Sequence, residues 1–264
     1  MPVALTLVAL ALFTSLAMAG AWTIARKPGK SGWTDTIWSY TVGAGGVFAA
    51  FSATHSPFWR RIVVALLVGA WSLRLGGHIM LRTLKGKDDP RYMRLRAEWG
   101  AQWPWRLFLF LQIQAAAAAL LVISIFVAAG NPAPAPAWSD VAGAVLLVLA
   151  VAGESIADRQ LRRFAANPNN KNKINDKGLW AWSRHPNYFF EWLGWWVYPL
   201  VAIGPAGRYA WGWAALIGPA LMYWLLVHAS GIPATEAHML RSRGEKFRSY
   251  QKRVNAFFPA PPRG

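Results

Sequence analysis

The chain has no cysteine among its 264 residues. Disulfides, thiolate nucleophiles and Cys-based metal sites are therefore excluded. Acidic residues are scarce: 11 Asp and Glu stand against 28 Lys and Arg, giving a net charge of +17. Charge of either sign is sparse, at 15% of residues, whereas 55% are hydrophobic and 17 are Trp. Such a composition is too apolar for an ordinary soluble domain. His55, His78, His185, His228 and His238 form no HxxxH or HExxH pair, so no metal site is expected. There is no GxSxG element for a serine nucleophile. Nor is there an internal repeat of the kind that builds transporters.

What the sequence does contain is a series of long apolar runs, several near the roughly 20 residues that cross a bilayer. Seven spans are expected, at about 3–25, 33–54, 61–81, 106–129, 139–161, 186–204 and 209–230. The class expected is thus all-α, one integral membrane bundle of seven transmembrane helices over residues 1–264. Leu5 to Ala19 resembles a signal-peptide core, but no cation precedes it and Arg26, Lys27 and Lys30 follow it. That charge order favours a retained helix with the N-terminus outside. Basic residues cluster at 26–30, 82–106, 159–184 and 241–253. With seven spans all four clusters fall on one side, which the positive-inside rule assigns to the cytoplasm, together with the C-terminus. Arg60 and Arg61 are the exception. The basic excess reads as topology plus attraction to anionic membrane lipid, and nucleic acid is not an expected partner. The stretch from Thr235 to Val254 reads as a basic amphipathic helix lying on the membrane surface.

Three polar groups stand against these apolar runs. Glu154, Asp158 and Arg162 are four apart at the end of the fifth span and form one stripe. Glu154 lies within the apolar register, where a lone carboxylate is costly. The second group is Gly178 to Trp196, GLWAWSRHPNYFFEWLGWW, which crowds Arg184, His185, Asn187, Tyr188 and Glu191 against a Trp-rich run. If the segment is helical, Arg184, Asn187 or Tyr188, and Glu191 share a face. Asn187 both donates and accepts, which suits a carboxamide; Glu191 accepts from an amide, and Arg184 and His185 suit phosphate. The third group is Trp71, Arg74, His78 and Arg82 on the third span and its following loop, followed by Asp88, which lies outside the residues described below, and by Asp89, Arg91 and Tyr92. A stripe of cations on a membrane helix should face a polar cavity, and paired arginines suit phosphate. The C-terminal segment adds Glu236, His238, Arg241, Arg248 and Tyr250, as a plausible lid or phosphate contact.

At these residues the chain resembles the steroid 5-alpha-reductase family, in its bacterial branch. Trp180, Asn187 and Glu191 reproduce the family's spacing of aromatic, Asn and Glu after a Gly-Leu pair. Asp158 and Arg162 fall where the family has Asp and Arg, whereas Glu154 stands where steroid-reducing members carry Asn. The ending His238, Arg248, Tyr250 and Phe257-Phe258-Pro259 fits the family's basic tail. The resemblance covers about 140–260 and extends weakly over 60–100. It implies a membrane reductase that uses NADPH, with the cofactor held mainly by the 140–260 half. Asp158, Arg162, Asn187 and Glu191 would contact it, the last two at the nicotinamide end. Arg74, Arg82 and Arg241 are the phosphate candidates, and Tyr92, Glu154, Arg184, His185, Tyr188, His238 and Tyr250 complete the expected cofactor set. The implied reaction is hydride transfer to the beta carbon of a ketone-conjugated double bond, the substrate being a lipophilic delta-4 3-keto steroid. Catalytic donors are expected from Asp35, Tyr40 and Trp71, Asp35 being equally placed to cap the second helix. The expected location is the bacterial inner membrane, with the site open to the cytoplasm. The RHPxY pattern followed by Glu also looks like isoprenylcysteine carboxyl methyltransferases, which bind S-adenosylmethionine. A reductase acting on another sterol double bond is a third reading.

Overall fold

The computed structural model describes residues 2–27, 29–85 and 89–263. It is all-helical, with no strand among the described residues. Among the described residues the α-helices in chain order are α1 (Val3–Ala25), α2 (Trp33–Ser52), α3 (Phe58–Lys85), α4 (Pro90–Trp99), α5 (Trp103–Ala129), α6 (Trp138–Ala166), α7 (Pro186–Trp195), α8 (Val197–Ile203), α9 (Ile217–Trp224), α10 (Ile232–Arg243) and α11 (Glu245–Arg253). Among the described residues, five helical stretches are long and apolar enough to cross a membrane: Val3–Ala25, Phe58–Leu84, Arg91–Ala129, Trp138–Ala166 and Ala210–Arg243. The chain therefore has the helices of a multi-pass membrane protein.

The two remaining expected spans look different. The second forms a continuous 20-residue helix, but Gly, Ser and Thr dilute its apolar character. Packing accounts for those small residues, since α2 contacts α1, α3 and α5. A Cβ on Gly43 would stand 2.1 Å from Ser72 Oγ, so α2 approaches α3 as closely as it does only without a side chain there. The sixth expected span, 186–204, is two short helices, α7 and α8, meeting at Trp196. The single surface helix expected over 235–254 is also two, α10 and α11, divided at Gly244 with φ 52°. Phe247 and Tyr250 of α11, with Val254 just beyond its end, pack on Ile174, Met239 and Leu240. They are used inside the protein, leaving Lys246, Arg248 and Lys252 exposed.

The chain divides into two compact units, Met1–Val141 with Tyr198–Gly218, and Ala142–Val197 with Pro219–Gly264. In the first, side chains tie helices through backbone carbonyls, as Trp38 Nε1 does to Gln114 at 3.0 Å and Ser124 Oγ to Ala215 at 2.6 Å. Arg60 explains its own departure from the charge asymmetry. Its side chain is 1% exposed and meets Asp140 at 2.5 Å. The Asp140 carboxylate also accepts from the backbone N–H of Ala137 at 2.8 Å. Arg60 is thus neutralised within the fold instead of adding to the surface charge.

Candidate functional site

The polar groups of the second unit gather along α6 and α7. Glu154, Asp158 and Arg162 succeed one another by one turn on α6. The two carboxylates are 7% and 8% exposed, while Arg162 lies at the surface. Helix α7 begins at Pro186, a residue suited to the first turn because it has no N–H to leave unbonded. Asn187, in that first turn, donates from Nδ2 to Asp158 Oδ1 at 3.4 Å. One turn on, Glu191 is 6% exposed and accepts from the buried Trp195 indole at 3.2 Å. The seam is close because Gly153 faces the Phe190 ring, whose edge lies 2.4 Å from where a Cβ would stand.

The turn before α7 is held from both sides. Trp180 Nε1 donates to the Ala157 carbonyl at 3.1 Å, and the Leu179 N–H to Gln160 Oε1 at 3.0 Å. From α11 the Tyr250 hydroxyl donates to the Trp180 carbonyl at 2.5 Å. Burial pushes that phenol above its ordinary pKa, so it stays a donor. Tyr250 is thus a brace for the turn.

The helix starting at Pro186 corrects the register expected for Arg184, which lies before α7 and not on its face. The Arg184 guanidinium donates to Glu236 at 2.7 Å and to the carbonyls of Gln251 and Val254. His185 Nε2 meets the same Glu236 oxygen at 3.1 Å, and Gln251 reaches the other at 2.6 Å. Burial holds His185 below its ordinary pKa, with Glu236 opposing. Arg184 and His185, read from the sequence as phosphate contacts, are therefore engaged by the protein's own carboxylate. Tyr188 stacks on His185 with ring centres 5.4 Å apart, and its hydroxyl lies 3.3 Å from Thr235 Oγ1. His238 and Arg241 are exposed on α10. Sequence reasoning missed the hub role of Glu236 and the donor Trp195; an acid isolated in a basic tail was the available signal for the first.

The other expected residues belong to the first unit. Trp71 is buried on α3, Arg74 is half-buried one turn on, and Arg82 is largely exposed, 3.6 Å from Asp89. Tyr40 packs over Gly76. Asp35 is not the cap of α2: the helix starts at Trp33, and Asp35 sits in its first turn. There its carboxylate pairs with Arg91 and accepts from the Tyr92 hydroxyl at 3.4 Å. Tyr92, expected among cofactor contacts, is thus bonded to Asp35, one of the three expected catalytic donors. Asp89 caps α4 by accepting from the Arg91 N–H at 2.9 Å. Burial opposes its ionisation, but the Arg91 bonds and charge prevail and hold its pKa below the ordinary value.

Among the described residues, no group of three or more His, Asp or Glu side chains is arranged to hold a metal ion. Comparison with curated proteins and with solved structures returned no match. A family model described as a protein of unknown function, DUF1295, matches residues 21–254, most of the chain, and the chain belongs to that family.

Proposed function

We propose that this protein is a membrane-embedded, NADPH-dependent reductase of carbon–carbon double bonds conjugated to a ketone, with delta-4 3-keto steroids as the substrate class. The observation that carries the reading is the α6–α7 seam: an amide and a carboxylate one turn apart on α7, with the amide on a buried carboxylate of α6. Buried polar groups concentrated at one helix edge are expensive without a ligand to hold or a structure to brace. Asn187 and Glu191 supply the acceptor and donor set that a nicotinamide carboxamide needs. Arg162, one turn beyond Asp158 and exposed, offers a fork for phosphate. On these grounds the residues fit the cofactor.

When bound, NADPH would supply the hydride. Asn187 and Glu191 would orient the ring amide, and Asp158 would fix the Asn187 side chain. The substrate's oxygen gains charge as the beta carbon is reduced, so a positioned donor is needed there. The sequence candidates for that donor, Tyr40 and Trp71, belong to the first unit, where Asp35 is committed to Arg91 and Tyr92. The proposal includes seven membrane crossings, with α2 and the α7–α8 pair joining the five long stretches. It places the N-terminus outside and the C-terminus and site at the cytoplasmic face of a bacterial inner membrane.

One observation favours a second reading. Glu236 removes Arg184 and His185 from phosphate duty, which lessens the demand for a phosphate-rich ligand. An S-adenosylmethionine-dependent carboxyl methyltransferase of the isoprenylcysteine type needs no phosphate contact. Thermal-shift titration of detergent-purified protein with each ligand separates the two. Stabilisation by NADPH, abolished in Asn187→Ala and Glu191→Ala, is expected; stabilisation by S-adenosylmethionine alone would replace the reductase reading.

A further inference from the structure

The segment after α11 has no helix or strand of its own from Val254 to Arg263. Such a segment is held only by what its peptide groups and side chains bond to. Here those bonds lead to the turn before α7. The Arg184 N–H donates to the Asn255 carbonyl at 2.8 Å, and the Ala260 N–H donates to the Trp182 carbonyl at 3.0 Å. Ser183, between those two residues, is fully buried. Its hydroxyl donates to the Phe257 carbonyl at 2.9 Å and accepts from the His185 N–H at 3.1 Å. His185 is the N-cap residue of α7 and makes no side-chain cap of its own. A single hydroxyl therefore joins the segment to the start of that helix. The Arg263 N–H donates to the Arg253 carbonyl at 2.8 Å and closes the segment back onto α11.

Phe257 carries the contact along the helix. It is 4% exposed, with its ring centre 5.9 Å from Phe189 and 5.6 Å from Trp192 of α7, and 5.4 Å from Tyr223 of α9. At about 100° per residue, Phe189 and Trp192 lie on the opposite face of α7 from Asn187 and Glu191. The helix is thus held between α6 on its polar face and the 255–260 segment on its aromatic face. It is ten residues long, and helices of that length depend on tertiary partners for stability. Loss of either side should shift the helix start, and Asn187 stands in the first turn.

We propose that residues 255–260 are a strap that sets the start of α7, with Ser183 as the positioning residue through which it acts. Seating of the strap and ligand binding at Asn187 and Glu191 are then coupled. Every residue of the strap and of its grip belongs to the second unit. The identity of the ligand, NADPH, rests on the reductase reading; the strap itself does not. Coupling between two sites is reciprocal, so a ligand that fixes α7 must also tighten the strap.

The test is hydrogen–deuterium exchange on the full chain in detergent, wild type against Ser183→Ala, with and without NADPH. In the ligand-free variant, exchange should rise roughly tenfold, the factor carried by a lost buried hydrogen bond. The rise should appear in peptides covering 182–190 as well as 255–260, with α1–α5 unchanged. In wild type, NADPH should slow exchange at 255–260, and its affinity should be about tenfold weaker in Ser183→Ala, an ordinary coupling factor. A rise confined to 255–260, a uniform rise over the whole chain, or no rise at 182–190 overturns the proposal, as does equal NADPH affinity in the two proteins. If wild type does not bind NADPH, the reductase reading falls while the ligand-free exchange still decides the strap. If Ser183→Ala does not fold, Phe258→Ala takes its place: that ring is 49% exposed and stacks on Tyr223 with centres 6.1 Å apart.

Discussion

Gly153→Ala probes whether the α6–α7 seam sets the geometry of the candidate site. A Cβ there would lie 2.4, 2.5 and 2.6 Å from three atoms of the Phe190 ring. Carbon atoms rest about 3.5–4.0 Å apart, so the ring or the helices must give by roughly 1 Å. Phe190 has little freedom to turn, because its ring meets Phe189 edge-on with centres 5.4 Å apart. Overpacking of this kind costs about 1–3 kcal/mol, and the gain from replacing Gly by Ala within a helix offsets about 0.5–1 kcal/mol of it. A net loss of roughly 1–2 kcal/mol is expected. The same displacement acts on the Asn187–Asp158 bond, already at 3.4 Å and unable to absorb it. If the proposed reductase reading holds, NADPH affinity should therefore fall by about 10–100-fold, on the order of the loss that follows when a positioning group moves by ~1 Å. Melting and NADPH titration in detergent would be read together, with Gly153→Ala/Phe190→Leu as the relieving variant. Unchanged melting would show that the ring yields freely. Lowered melting with unchanged affinity would show that the seam does not position Asn187.

Three further outcomes follow from the buried charges. Glu236→Ala should destabilise the protein by about 3–5 kcal/mol, the usual result of stranding a buried partner. Glu245→Ala, whose side chain is 70% exposed against Arg248, should cost little in the same thermal assay. Since burial depresses the His185 pKa, its contribution to stability is complete above the unfolded value near ~6.5 and is lost as pH falls through the folded value. His185→Gln should flatten the melting profile over that acidic interval. Arg60→Ala should cost about 3–5 kcal/mol by leaving Asp140 buried alone, and adding Asp140→Ala should recover part of the loss.

The features legible in the sequence are those carried by runs and short spacings. Long apolar stretches reveal α1, α3, α5 and α6, and the four-residue spacing of Glu154, Asp158 and Arg162 reveals a stripe that α6 presents as one face. Pro186 was a visible start signal, yet a face beginning at Arg184 treated it as an interior residue; the chain reaches Pro186 through a non-helical His185 with φ −137°. The break at Gly244 was hidden for a related reason, because the amphipathic pattern continues across it while the backbone does not. Partners distant in sequence leave no periodic trace. Arg184 and Glu236 lie 52 residues apart, and Arg60 and Asp140 lie 80 apart.

A different signal, the scarcity of acids, reaches those distant pairs. Cations in a membrane chain are distributed by topology, so most of the 28 report which side a loop occupies. Nothing comparable recruits acids to the loops, and with only 11 of them each one within an apolar stretch implies a specific partner. Asp140 and Glu236 become clamps on Arg60 and on the Arg184–His185 pair. Asp35 gathers Arg91 and Tyr92, and Asp158 and Glu191 receive Asn187 and Trp195. Burial separates these acids from Glu98 and Glu245, whose side chains are 47% and 70% exposed and whose pairs are local, at i,i+4 and i,i+3. In a strongly basic membrane protein the informative charges are the negative ones, because each must be compensated where it lies.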